Sequence, residues 1–418
     1  MRITILTQFY PPEFGAAAVR LSRLARLLAA DGHQVTVLTG MPNYPEGVIH
    51  SAYRGKVFSQ ETLDGVDVRR VWVSASPSKR ARARLLNQFS FLLMAALRGT
   101  FLARPDVFLV ESHPLPIVLA AGWLKRIKRA PIVLNVSDLW PESAVATGAL
   151  SADSQMVKIA SKIEKWAYHD AAQIVSMTQG VHEGILHVHP HPHRVTLIQN
   201  AVDLERFKPG STALRCEIRE KYGIGDRFMA VHVGNMSLTY DFDILLETAA
   251  ALPDMAFLFA GGGSQEADIR QNAADRGLQN VIFAGVLPHA DMPGIWAAAD
   301  ASLIALRDHS VAGGTLPAKM YESLATGTPI VAAIRGEGAA LIEQAGAGLI
   351  VPIGDANAYT AALQHLASSP ALCERLRVDA RTYAEKYLSP DQVKARYLEQ
   401  FEQAYNEGKI KWKKPISC

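Results

Sequence analysis

The chain has 418 residues, a formal net charge of +3, and 49% hydrophobic against 20% charged residues. That length exceeds one ordinary core and suits two domains of about 200 residues each, and the composition excludes a disordered polyelectrolyte. The charge is too small to point to nucleic acid, and no nucleic-acid partner is expected. Three widely spaced cysteines (Cys216, Cys373 and Cys418) contain no CxxC pair and indicate a reducing compartment rather than a disulfide framework.

In chain order, Ile3 to Thr7 predicts a short strand in place of a signal peptide, because a long apolar stretch and a small-residue cleavage site are missing. A loop with Pro11, Pro12 and Gly15 follows, then a helix with Leu21, Leu24 and Leu28 on one face, and a strand over Val35 to Leu38. The basic cluster Lys79, Arg80, Arg82 and Arg84 precedes the apolar segment Leu85 to Leu102, which Asn87, Gln88 and Arg98 make too polar to span a bilayer. Two readings stay open there: a buried helix after a solvated charge run, or a helix lying on an anionic membrane surface. The tail Lys409 to Lys414 has a similar basic and aromatic character.

Val107 to Val110 and Ile132 to Val136 read as strands buried on both faces, with a crossover helix over 117–127 between them, and Ile174 to Met177 closes the first half. His187, His189, His191 and His193 alternate near Pro190 and Pro192, which predicts an extended loop of surface histidines and no metal site. The polar stretch from Gln199 to Gly210 predicts a hinge. Strands at Met229 to Val233, Ala256 to Phe259, Val281 to Phe283, Ala301 to Ile304 and Ile330 to Ala333 then alternate with helical stretches. The expected class is α/β, with two facing Rossmann-like domains, parallel sheets and a cleft between them where ligands meet strand carboxyl ends. Domains are expected over 1–195 and 196–389, the first possibly completed by a final helix in 390–418 that could pack on either.

A dinucleotide-dependent oxidoreductase is disfavoured: the first strand lacks a following GxGxxG, and Gly261-Gly262-Gly263 lacks the spacing and reads as a tight strand–helix turn. The densest local signal is the stretch from Gly313 to Pro329. Gly313 and Gly314 permit close backbone approach, and Pro317 suits a helix start whose free N–H groups and dipole favour phosphate. Lys319 adds positive charge in the first turn. Glu322 lies three residues on, on the same face, where a carboxylate can accept two hydrogen bonds from a diol such as a ribose. Gly327 and Pro329 end the helix. The plainer alternative is a capped surface helix with a Lys–Glu pair.

Residues 317–329 resemble the donor-site stretch of the large retaining GT-B glycosyltransferase family commonly numbered four. The resemblance extends over nearly the whole chain, through Phe9 to Gly15, Gly32 to Thr39, and Ile198 to Asp203 with Phe207 and Pro209. Within the family, Met41 to Gly47 and Asp138 to Ser143 are most similar to N-acetyl-L-fucosamine transferases of bacterial surface polysaccharide synthesis, such as O-antigen or capsule. The resemblance implies a donor site in the second domain. Glu322 would hold the nucleotide ribose, and Lys319 the diphosphate with backbone N–H groups of Gly313, Gly314, Thr315 and Leu316 and with Gly15. Asn235 would lie close by, and Val286 and Leu287 would border the base. In the acceptor domain it implies roles for Asn43, Tyr44, His113, Asp138 and Glu142, with Asp138, Lys319 and Glu322 as the catalytic set.

It further implies a UDP-sugar donor, a polyprenyl-diphosphate-linked saccharide acceptor, a cytoplasmic enzyme that can sit peripherally on the inner membrane face through Lys79 to Leu102, and neither cofactor nor metal. Two departures stand out: Gly314 occupies the place of a family Glu eight residues before Glu322, and Gly234 to Tyr240 carries no charge where a basic pair is usual. Ser137 also replaces a His before Asp138. For Asp138 and His113 the plain alternatives are a helix N-cap and a turn residue. Two other activities are compatible with the same plan, a nucleotide-sugar 2-epimerase and a non-catalytic nucleotide-sugar-binding partner.

Overall fold

The computed structural model describes residues 1–13, 16–44, 46–78, 80–146, 150–189, 191–308 and 316–413. Two compact units divide the chain: unit 1 is Met1–Asn200 with Pro390–Cys418, and unit 2 is Ala201–Ser389.

Unit 1 is built on strands β1 (Arg2–Leu6), β2 (Gln34–Gly40), β3 (Phe58–Leu63), β4 (Val66–Val71), β5 (Val107–Glu111), β6 (Ile132–Val136), β7 (Gln173–Ser176) and β8 (Val195–Leu197). Its helices are α1 (Ala16–Ala30), α2 (Ala81–Thr100), α3 (Ile117–Lys128), α4 (Glu142–Ala146), α5 (Gln155–Asp170) and α6 (Gln179–Val188). Unit 2 follows with β9 (Met229–Val233), β10 (Ala256–Ala260), β11 (Val281–Gly285), β12 (Ala301–Ala305), β13 (Ile330–Ala333) and β14 (Gly348–Val351). Its helices are α7 (Thr212–Lys221), α8 (Phe242–Ala251), α9 (Glu266–Asp275), α10 (Met292–Ala298), α11 (Ala318–Thr326), α12 (Glu337–Ala345), α13 (Ala356–Ser368) and α14 (Pro370–Tyr383). The last helix, α15 (Pro390–Lys413), returns to unit 1.

The unit 1 sheet runs β3-β4-β2-β1-β5-β6-β7-β8 and the unit 2 sheet β11-β10-β9-β12-β13-β14. Both are parallel Rossmann-like sheets with one exception: β3 pairs antiparallel with β4. That edge departs from the all-parallel expectation because Asp64 and Gly65 take positive φ (51° and 79°), the geometry of a two-residue hairpin. Every residue of β5, β6, β9, β10 and β12 is buried, since helices cover both faces and leave no solvated side to alternate with. Strand order reverses between β1 and β5 in one sheet and between β9 and β12 in the other. At such a point neighbouring connections leave in opposite directions and open a crevice at the strand carboxyl ends.

A buried polar knot fixes the unit 1 reversal. Glu111 Oε2, at the end of β5, accepts from Arg20 Nη2 of α1 at 2.6 Å and from Asn135 Nδ2 of β6 at 2.7 Å. Ser137 Oγ donates to the other carboxylate oxygen, and Arg20 also donates to Ser137 Oγ at 2.9 Å. Tyr397 OH from α15 donates to Asn135 Oδ1 at 2.6 Å, which draws the last helix into the same cluster.

Helix α2 buries Phe91, Ala95 and Gly99 but exposes Leu86, Phe89, Leu93 and Leu97 on its opposite side. Among the described residues no helix is long and apolar enough to cross a membrane. In the histidine-rich segment His187, His191 and His193 are exposed as expected, with His187 on α6 instead of in a loop, but His189 is buried. His189 is 1% exposed, edge-on to His169 and His191 with centroids 4.8 Å away in each case, and burial pushes its imidazole down to about 4.

Glu111→Ala removes the buried carboxylate that Arg20, Asn135 and Ser137 share. We expect it to destabilise unit 1 by about 3–5 kcal/mol, read as a lower urea midpoint of the amino-terminal transition.

Candidate functional site

In unit 2 the sheet reversal brings the ends of β9, β10 and β12 to the start of α11. Pro317, at φ −61° and ψ 135°, directly precedes the helix, and Gly327 closes it in the left-handed region at φ 68°. The proline therefore caps the first turn from outside, one step earlier than its predicted place within it. Lys319 is 5% exposed, with Nζ 3.1 Å from His232 Nε2 and 4.0 Å from the centroid of Tyr240. His232 is fully buried in β9, its ring packed against Phe242 at 4.7 Å.

Burial drives the Lys319 amine well below its usual range, with partial opposition from the Glu322 charge. Burial likewise depresses His232, and the neighbouring Lys319 adds to the effect. The fold thus opposes the positive charge expected of Lys319. Glu322 is half-buried on the same helix, and its Oε2 accepts from Trp296 Nε1 of α10 at 2.9 Å.

Glycines shape the surface above the amine. Gly234 has φ 116°, and a Cβ there would stand 3.8 Å from Lys319 Cε. A Cβ on Gly261 would lie 1.9 Å from Gly234 O, and one on Gly263 2.4 Å from Asn235 Oδ1, so the two loops interlock only as glycines. This is the tight turn expected of Gly261 to Gly263. Asn235 is exposed beside it, Val286 is 79% exposed just past β11, and Leu287 and Leu316 are half-buried. Gly15, Gly313, Gly314 and Thr315 lie outside the described residues. Arg307 reaches Asp243 at 3.0 Å and Asp308 pairs with Arg335 at 2.6 Å.

In unit 1, Glu13 is 5% exposed, and its Oε1 accepts the backbone N–H groups of Asn43 and Tyr44, both at 2.9 Å. Burial raises the Glu13 carboxyl and these N–H bonds oppose the rise. Asn43 is buried, donating to Met41 O at 2.9 Å and accepting from Asn87 Nδ2 at 3.1 Å, so its amide is committed to the loop. Tyr44 is exposed, 5.5 Å from the Phe9 ring. His113 and Asp138, both exposed, share one small pocket with Trp140, Glu164 and Tyr168. Asp138 Oδ2 accepts from Ser143 Oγ at 2.7 Å, and exposed Glu142 opens α4. Lys319, Glu322, Asn235, Val286 and Leu287 therefore belong to unit 2, and Asn43, Tyr44, His113, Asp138 and Glu142 to unit 1.

His232, Tyr240, Trp296, Glu13 and Glu164 were not singled out from the sequence. His232 left a usable signal, a titratable residue inside the otherwise apolar run Met229 to Val233. Among the described residues no group of three or more His, Cys, Asp or Glu is arranged to hold a metal ion.

Since Lys319 binds a proton more readily unfolded than folded, the ligand-free protein gains stability as pH rises from the depressed folded pKa towards the unfolded value. Lys319→Met removes that penalty. The variant should melt above the wild type at neutral pH, and the gap should shrink as pH approaches the ordinary lysine range of about 10.4, which thermal unfolding across pH reads directly.

Residues 15–201 match the Glycosyl transferase 4-like domain family and residues 227–369 the Glycosyl transferases group 1 family. WcaI of Escherichia coli (strain K12), named for a glycosyl transferase role in colanic acid biosynthesis, is 24% identical over 339 residues, covering 78% of this chain and 82% of that one. A D-inositol 3-phosphate glycosyltransferase of Mycobacterium sp. (strain KMS) is 29% identical over 396 residues, covering 88% and 86%. Among solved structures, Anabaena Alr3699/HepE in complex with UDP superposes with a TM-score of 0.70 at 17% identity, covering 96% of this chain and 100% of that one. The sucrose-phosphate synthase of Thermosynechococcus elongatus gives 0.70 at 17%, covering 97% and 99%. The chain is a glycosyltransferase of the GT-B fold, a glycosyl transferase 4-like domain followed by a glycosyl transferases group 1 domain.

Proposed function

We propose that the enzyme transfers a sugar, N-acetyl-fucosamine or a related deoxy-amino sugar, from a UDP-sugar to a lipid-linked or oligosaccharide acceptor in bacterial surface polysaccharide synthesis, with retention. The observation that carries the donor half is Lys319, an amine buried under glycine loops at the start of α11 and at a sheet reversal. A diphosphate placed there meets unpaired helix N–H groups and the amine together, and neither contribution needs a metal. Glu322, oriented by Trp296, takes the ribose hydroxyls, while Val286 and Leu287 flank the base.

The acceptor hydroxyl attacks the anomeric carbon on the face from which the diphosphate departs, the bond to the diphosphate breaks, the hydroxyl proton passes to the departing phosphate oxygen, and Lys319 and the helix N–H groups stabilise the developing charge. Asp138 in unit 1 hydrogen-bonds the acceptor hydroxyl. The UDP complex of the Anabaena neighbour and the colanic acid role named for the Escherichia coli relative support a UDP donor and a polysaccharide product. An epimerase would need an acid and a base placed on either side of the donor sugar; the titratable groups described at the start of α11 are Lys319, His232 and Glu322, and Glu322 is bound by Trp296.

Calorimetric titration with UDP, GDP and ADP tests the donor site. UDP should bind selectively. Glu322→Ala should lose about 1.5–3 kcal/mol, roughly 10- to 100-fold in affinity, because it removes a carboxylate's hydrogen bonds to the ribose. Lys319→Met should also weaken UDP binding, because it removes the amine that meets the diphosphate. Failure of wild type to bind any of the three would overturn the donor assignment.

A membrane contact fits α2. Leu86, Phe89, Leu93 and Leu97 form one exposed stripe at helical spacing, Trp123 and Ile127 of the adjoining α3 are exposed beside it, and Arg80, Arg82 and Arg84 precede it. The full chain should cosediment with vesicles containing phosphatidylglycerol and not with purely zwitterionic ones. Leu93→Glu with Leu97→Glu should abolish binding while UDP affinity stays unchanged; equal sedimentation of the double variant would exclude this face.

A further inference from the structure

The small pocket of unit 1 has a floor that lies far from its rim in sequence. Glu164 and Tyr168 stand one turn apart on α5, 8% and 3% exposed, and Tyr168 OH donates to Glu164 Oε1 at 2.8 Å. Ser112, His113, Asp138 and Trp140 supply the walls, from the carboxyl ends of β5 and β6. The space suits a group about the size of a water molecule, such as one sugar substituent and not a whole ring.

We propose that this pocket is a specificity subsite in which Glu164 accepts a hydrogen bond from a hydroxyl or amino substituent of the acceptor sugar and which rejects a carboxylate or phosphate. The proposal rests on unit 1 being the acceptor side. An ionised carboxylate can only accept hydrogen bonds, so its partner must bring a donor. Asp138 in the wall and Glu142 on α4 carry the same sign of charge, and an anion entering among them meets repulsion in a water-poor space. Sites built around one buried polar group discriminate strongly against ligands that leave it unpaired.

The charge of Glu164 is itself conditional. Burial lifts its carboxyl to about 7, the Tyr168 hydrogen bond opposes the rise, the Glu142 charge adds to it and Lys165 opposes it. The groups facing it are thus Tyr168 and Lys165 on its own helix, Glu142 on α4, and Asp138 and His113 at the pocket wall. Above that value the floor is an anion; below it the floor is neutral and can itself donate. Exclusion of anionic sugars should therefore relax as pH falls through it.

Ligand-observed NMR on the full chain, with methyl glucoside, methyl glucosaminide, methyl glucuronide and glucose 6-phosphate as probes, tests this about one pH unit above and below 7. At the higher pH the neutral and amino sugars should bind wild type at least roughly tenfold more tightly than the two anions, and the gap should narrow at the lower pH. Glu164→Gln, which keeps the shape and a hydrogen-bonding group, should hold the neutral glycoside, narrow the gap to what Asp138 and Glu142 sustain, and lose its dependence on pH near 7; Glu164→Leu should lose the neutral glycoside. Equal binding of anionic and neutral probes by wild type, an unchanged gap in Glu164→Gln, or no sugar binding by a wild type that still binds UDP would overturn the subsite alone. Absence of both UDP and sugar binding would instead overturn the reading on which it rests.

Discussion

Lys319 is held with its amine between the ring of Tyr240 and the ring nitrogens of His232, under a backbone that carries no side chain at Gly234. Burying an amine this deeply opposes protonation, and the fold accepts that cost in stability at a position where an anion can restore the charge. Much of unit 2 is arranged around that placement. Strand β9 must end in a positive-φ glycine, the β10 loop must interlock with it through Gly261, and α11 must begin directly after Pro317 so that its first turn delivers the amine. A side chain at residue 261 would collide with the carbonyl of residue 234 and push the two loops apart. Close backbone approach and the buried amine are therefore one constraint rather than two.

The two units share a topology and differ in the chemistry set at their reversals. In unit 2 the carboxyl ends of the strands present glycine backbone, an amine and a helix start, all suited to an anion. In unit 1 they present carboxyls: Glu13 buried under the loop of Asn43 and Tyr44, Asp138 exposed at the pocket rim and Glu164 beneath it. That division is what the proposed donor and acceptor sides would require, an anionic nucleotide on the one and a hydroxyl-bearing sugar on the other. Fold alone would not make the distinction, since the strand orders place a crevice in both sheets.

Sequence carried the fold far because the parallel strands are continuous apolar runs, such as Val107 to Val110 and Ile132 to Val136, separated by helical spacing. It carried the α11 site for a similar reason, since Pro317, Lys319, Glu322 and Gly327 act within one helix and its caps. The elements that escaped have other causes. The β3–β4 hairpin hides because its outer strand is largely exposed and its hydrophobic alternation weak, although Asp64-Gly65 was the turn signal available. Trp296 and Glu322 meet across 26 residues, and His232 and Lys319 across 87, so local periodicity says nothing of either pair. Glu164 carries no local signal of a pocket; the packing of α5 turns it inward.

The absence of charge from Gly234 to Tyr240 acquires a physical meaning in this setting. A basic pair in that loop would stand beside the buried amine and suppress its protonation further, since like charges at short range disfavour the charged form. Tyr240 instead offers an aromatic face at 4.0 Å, which favours a cation without adding one. His232, kept neutral by burial, can accept from the amine as well. Loss of the usual basic residues and burial of Lys319 are thus mutually consistent: the loop adds no fixed positive charge beside an amine whose protonation burial already opposes.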